Sequence, residues 1–136
     1  MLLESDDGIK RLLSSAKTIA VVGLSDKPYR DSSDVASYLK GRGYKIIPVN
    51  PNIASALGLT SYSELEKVPD RIDIVDVFRR SEFVPDLVEA AIRSKARAIW
   101  LQIGVIHASA AQRAADAGLT VVMDRCIAVE HRRLIA

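Results

Sequence analysis

The sequence predicts the α/β class: one open sheet of about five parallel strands with helices on both faces. Three observations carry this. Five short runs rich in Val and Ile recur at residues 18–23, 45–49, 72–78, 98–103 and 120–123. Most are continuously apolar rather than alternating, as in strands buried on both faces. Segments with helical spacing lie between them, joined by short connections, which is the alternation of a parallel sheet.

The elements follow in order. An opening helix is predicted over residues 5–16, with Ile9, Leu12 and Leu13 on one side. After the first strand, a helix starts near Ser32 or Ser33, carries Val35, Ala36 and Leu39, and ends near Gly41 or Gly43. Residues 52–70 break the pattern with Gly58, several serines and Pro69. Their one helix mark is Ser63-x-x-Glu66, a capping box, so they read as an irregular crossover with one short helix. Beyond the third strand, Val84, Leu87, Val88, Ala91 and Ile92 form one helix face. Pro85 is tolerated there only within the first turn. A run of alanines from Ala110 to Ala117 marks the next helix, stopped by Gly118, and residues 127–134 form the last. No repeat or linker divides the chain, so residues 1–136 are expected to form a single domain.

Composition narrows the function. Hydrophobic residues make up 49% of 136 residues, which is enough for a core. Nineteen basic against 17 acidic residues give a net charge of +2, with no general footprint for nucleic acid or an anionic membrane. The one cysteine rules out an internal disulfide and a cysteine-based zinc site. No apolar run approaches the roughly 20 residues of a membrane span. The first residues carry Glu4, Asp6 and Asp7, the wrong charge for a signal peptide. A cytoplasmic protein, monomeric or a small homo-oligomer, is expected.

In such a sheet the turn after the first strand is the default ligand loop. Here Gly23 lets backbone approach a phosphate, Ser25 adds a hydroxyl, and Lys27 and Arg30 add charge. The following helix points its N-terminus at the same space. The plainer reading is that Gly23 ends a strand and the serines cap a helix. The loop lacks the later glycines of G-x-G-x-x-G, and Val49-Asn50-Pro51-Asn52 has no carboxylate for a ribose. Both points disfavour NAD. Strand three ends in Phe78-Arg79-Arg80, an aromatic and guanidinium groups suited to a purine and phosphates. Gln102 interrupts an apolar strand and needs a partner, either structural or ligand. Gly104 permits close backbone approach. Cys126 falls at the start of the last helix beside Arg125, a setting that can lower a thiol pKa, but an inert, half-buried cysteine is the commoner outcome and the leading reading. No metal cluster and no catalytic constellation of nucleophile, base and oxyanion site is evident.

Taken together, these strand ends resemble a known family. The series Gly23-Leu24-Ser25 with Pro28, Gly43 to Pro51, Val75 to Arg80, Trp100-Leu101-Gln102-x-Gly104 and Met123 to Cys126 with His131 is similar to the small stand-alone CoA-binding proteins. These are in turn similar to the CoA-binding domain of the succinyl-CoA synthetase α subunit. The resemblance implies a Rossmann-like fold binding coenzyme A or acyl-CoA. Gly23, Leu24 and Ser25 would hold the pyrophosphate, near Pro28. Val49, Asn50 and Pro51 would line the adenosine region, and Val77, Phe78 and Arg79 would border the nucleotide. Gln102, Gly104 and Cys126 would face the pantetheine, and Lys45 and Arg30 would add phosphate charge. It implies binding without ligase chemistry. Two alternatives stay open: a redox-responsive protein forming a mixed disulfide between Cys126 and CoA, and a non-catalytic subunit of a larger acyl-CoA enzyme.

Overall fold

A computed structural model describes residues 1–136. Seven strands and five α-helices follow in the order α1 (Asp6–Ser15), β1 (Thr18–Val22), α2 (Asp31–Gly41), β2 (Lys45–Val49), β3 (Ser55–Ala56), β4 (Leu59–Thr60), β5 (Ile74–Val77), α3 (Val84–Arg93), β6 (Ala98–Leu101), α4 (Ala108–Asp116), β7 (Thr120–Val122) and α5 (Ile127–Leu134). The main sheet is parallel, ordered β2-β1-β5-β6-β7. The predicted Rossmann-like α/β class is therefore correct. The chain moves from β1 to one neighbour and then crosses to the other, so the order reverses beside β1, where such folds place their ligands.

Strand residues alternate between two cores. Ala20, Val22, Val75, Val77, Ile99 and Leu101 face α3 and α4 and pack on Val88, Ala91 and Ala114. Ile19, Val21, Ile74, Trp100 and Val122 face the other side and pack on Leu13 of α1, Leu39 of α2 and Ile127 of α5. Both faces are covered, which is why the strands read as continuous apolar runs.

Helix ends obey local chemistry. Ser5 caps α1 by accepting from Gly8 N–H at 3.2 Å, and His107 caps α4 by accepting from Ala110 N–H at 3.2 Å. Pro85 sits in the first turn of α3, as required. The third and fourth strands end short of residues 78 and 103, and Gln102 lies just past its strand.

The crossover differs from its prediction. Residues 55–60 form a small antiparallel hairpin, β3 with β4, turning through Leu57 and Gly58, both at positive φ. That geometry suits a two-residue hairpin turn. Leucine is an unfavourable residue at positive φ, so the sequence carried no cue for it. The short helix is a 3₁₀ turn at Leu65–Lys67 without a side-chain cap; Glu66 pairs with Arg93 instead of closing a capping box. Tyr62 then bridges to Val49 along the free side of β2, and Leu2 bridges to Val121 along β7. Both sheet edges are thereby partly covered.

Candidate functional site

β1, β2 and β5 end together, and the site is built where they meet. Gly23 N–H donates to Val49 O at 2.9 Å. Gly23 has φ +88°, and a Cβ there would lie 2.5 Å from Phe78 O and 3.1 Å from Arg79 Cδ. Glycine is thus dictated first by the packing of three strand ends. Leu24 buries its side chain completely and receives a hydrogen bond on its carbonyl from Asn50 Nδ2 at 3.1 Å.

The loop after Gly23 is tied to α2 by serines. Ser32 Oγ accepts from Ser25 N–H at 3.0 Å, and Ser25 Oγ accepts from Lys27 N–H at 3.0 Å. Ser33 Oγ donates to Ser25 O at 3.0 Å and to Lys27 O at 2.7 Å. Ser32 and Ser33 are buried. The capping position of α2 is Arg30, which makes no side-chain cap. The N–H groups of Leu24, Asp31 and Ser32 bond nothing within the chain. These are the free donors that a helix start offers an anion.

Three clefts open on this edge and share lining residues. The first, about 710 Å³, is lined by Gly23, Ser25, Lys27, Tyr29, Arg30 and Phe78 among others. The second, about 540 Å³, is lined by Val35, Phe78, Arg79, Gln102, Val105 and Cys126 with neighbours. The third, about 300 Å³, is lined by Val49, Pro51, Glu64, Leu65, Arg79 and Asp86 with neighbours. Phe78 joins the first to the second, and Arg79 joins the second to the third.

Charge is distributed unevenly along this groove. In the first cleft Asp26 and Asp31 offset Lys27 and Arg30. Asp31 and Asp34 also occupy the first turn of α2, where carboxylates satisfy the dipole that an anion would otherwise use. Arg79 is set apart by its burial, since Lys27 and Arg30 are exposed. Its guanidinium carbon lies 4.3 Å from the Phe83 ring centroid, and none of the ion pairs includes it. It is a half-buried cation held over an aromatic ring, beside Gly23 and between two clefts.

Of the residues singled out from sequence, Gly23, Ser25, Arg30, Val49, Pro51, Phe78, Arg79, Gln102 and Cys126 line these clefts. Lys45 does not, and its predicted role is corrected. It begins β2, at the amino edge, and pairs with Asp70. Roughly 13 Å of strand, at about 3.3 Å per residue, separates it from the site edge. Leu24 and Val77 turn their side chains into the core. Pro28 is exposed on the loop. Asn50 links two loops, its Oδ1 accepting from Asn52 N–H at 2.9 Å. Gly104 has φ +81°, and its N–H donates to Asp124 Oδ1 at 2.7 Å, which shapes the loop after β6. Gln102 finds its partner in Ile127 N–H, 3.0 Å from Oε1, and so caps α5 from within the core while still lining a cleft. Cys126 is a half-buried free thiol at the capping position of α5. Sequence reading missed Glu64 and Asp86, which come from the crossover and from α3 and line the third cleft. Only the tertiary fold brings them there.

An open parallel sheet with its groove at the reversal of strand order defines a Rossmann-like ligand-binding class of domain. The chain belongs to the CoA-binding domain family, whose model matches residues 17–132. It is 46% identical over 123 residues to the uncharacterized protein YneT of Bacillus subtilis (strain 168), covering 90% of this chain and 91% of that one. It is 31% identical over 74 residues to acetate–CoA ligase [ADP-forming] II of Archaeoglobus fulgidus, covering 53% of this chain and 11% of that far longer protein. The solved structure of a hypothetical protein from Pyrococcus horikoshii OT3 superposes with a TM-score of 0.95 at 38% identity, covering 98% of this chain and 94% of that one.

Proposed function

We propose that this protein binds coenzyme A or acyl-CoA in the continuous groove at the carboxyl edge of its sheet. The observation that carries the reading is the chain of three clefts linked by shared lining residues, Phe78 between the first and second and Arg79 between the second and third. An elongated ligand with charge in the middle fits that layout. The pyrophosphate lies against the free N–H groups after β1 and the Arg79 guanidinium. The adenosine extends past Val49 and Pro51, with Glu64 and Asp86 as acceptors for ribose or amino hydrogens. The pantetheine runs past Phe78, Gln102 and Cys126. Family membership supports the ligand class. Calorimetric titration with CoA, acetyl-CoA, NAD and ADP tests it. Saturable binding of CoA or acetyl-CoA with little for NAD is expected; affinity for NAD with none for CoA contradicts it.

A second reading rests on Cys126, whose residue lines the cleft assigned to pantetheine. With CoA disulfide as co-reactant, the Cys126 thiolate attacks one sulfur. A protein–CoA disulfide forms and the other CoA leaves as its thiolate. Intact mass after that incubation reads the adduct, which Cys126→Ser abolishes; an unmodified wild-type protein rejects this reading. A third reading, a binding subunit for a larger acyl-CoA enzyme, draws on the similarity to a segment of the ligase. A copurifying partner chain supports it.

A further inference from the structure

The opposite edge of the sheet carries a cleft that the coenzyme reading leaves unused. It measures about 720 Å³ and is lined by Lys10, Arg11, Ser14 and Ser15 of α1, by Arg97 ahead of β6 and by Thr120 at the start of β7, with Leu3 and Leu12 behind them. No carboxylate lines it. Lys10, Arg11 and Arg97 join none of the ion pairs, whereas Arg80, Arg93, Arg113 and Arg133 each hold a carboxylate. Arg97 instead donates to the neutral hydroxyl of Ser15, so its charge stays uncompensated.

Asp7 lies one turn before Lys10 and Arg11 on α1 but does not line the cleft, and two carboxylates at the amino edge are engaged elsewhere. Asp73 accepts from the N–H groups of Lys17 and Thr18 at 2.8 and 3.0 Å, and Asp70 holds Lys45. The end of α1 brings about half a negative charge, which three cations exceed. The net charge of +2 hides this asymmetry. Cations gathered in one concavity without counter-charge repel one another, and a polyanion relieves that repulsion. The hydroxyls of Ser14, Ser15 and Thr120 add donors suited to phosphate oxygens.

We propose that this cleft is a second anion site, taking a compound with several linked phosphate groups, on the edge of the sheet away from the coenzyme groove. Guanidinium groups grip such oxygens in pairs, and Lys10 adds a mobile point charge. Binding weakens as salt rises, because the site is open to solvent.

The test is an amide NMR titration of the full chain with inorganic tripolyphosphate, with CoA held at saturation. Saturable shifts at Lys10, Arg11, Ser14, Ser15, Arg97 and Thr120 are expected. Arg11→Ala with Arg97→Ala should weaken them about tenfold or more, from two lost charge-assisted hydrogen bonds. Lys10→Ala gives a milder independent loss should the double variant fold poorly. Shifts confined to residues 23–32, or none at millimolar tripolyphosphate, overturn the proposal. Should CoA itself fail to bind, the residue-specific shifts still report on this edge separately. ATP titrated the same way identifies the source: tighter binding than tripolyphosphate supports a nucleotide, and equal binding supports a bare phosphate chain.

Discussion

At the scale of the residue, Arg79 is the strongest determinant of the groove. It is the half-buried cation with no carboxylate partner at the junction of the clefts. Arg79→Ala should lower CoA affinity about tenfold or more, the worth of a charge-assisted hydrogen bond. Lys45→Ala should leave it unchanged, since Lys45 serves Asp70 at the other edge; titration calorimetry reads both. Gly23→Ala forces a Cβ to 2.5 Å from Phe78 O at φ +88°. A loss of about 1–3 kcal/mol in urea unfolding is expected, together with weaker CoA binding. The glycine was legible in the sequence, but its reason was not: the clash is with a strand 55 residues further on.

Asp76 is a different case. It is fully buried at the centre of β5, and neither carboxyl oxygen has a partner. Burial pushes its carboxyl well above the ordinary value. The folded chain therefore holds a proton that the unfolded chain releases at acidic pH. Stability falls as pH rises from the ordinary aspartate range toward the raised folded value. Asp76→Asn, which carries no ionisable group, should flatten that slope in urea unfolding measured across pH. Equal slopes in the two proteins contradict the assignment. Its place inside an apolar strand was legible in the sequence, but burial without a partner was not.

At the scale of the element, helices and central strands were legible because their apolar periodicity matches a sheet buried on both faces. The β3–β4 hairpin was not, because Leu57 stands where turn chemistry prefers Gly or Asn. The joint between α2 and α5 was equally hidden. Tyr38 of α2 and Nδ1 of His131 on α5 are hydrogen-bonded at 2.8 Å, and the Tyr44 ring meets the imidazole edge-on at 5.6 Å. Burial, then the nearby Arg42 and Arg132, lower the His131 pKa. The unfolded chain therefore takes up this proton more readily. The stability is present above about pH 6.5, the ordinary histidine value, and is lost as pH falls below it. His131→Gln should remove that acid-side slope while lowering stability at neutral pH through the lost joint. Thermal unfolding from pH 5 to 8 checks both.

At the scale of the molecule, a parallel sheet gives the protein two unlike ends. Strand order β2-β1-β5-β6-β7 gathers five carboxyl ends on one edge and reverses direction beside β1. The groove proposed for the ligand lies at that reversal, a place that strand–helix alternation indicates before any side chain is placed. Its lining was legible only in part, since Glu64, Asp86 and Val105 stand at positions that no motif singles out. No helix is long and apolar enough to cross a membrane. The central claim is that the groove at the carboxyl edge holds coenzyme A with its phosphates at the first turn. A crystal structure grown with CoA tests it most directly. The account predicts density along that edge, with the pyrophosphate beside Gly23 and Arg79 and the adenosine toward Pro51. An empty groove at saturating CoA, or CoA bound only at the amino edge, would contradict it.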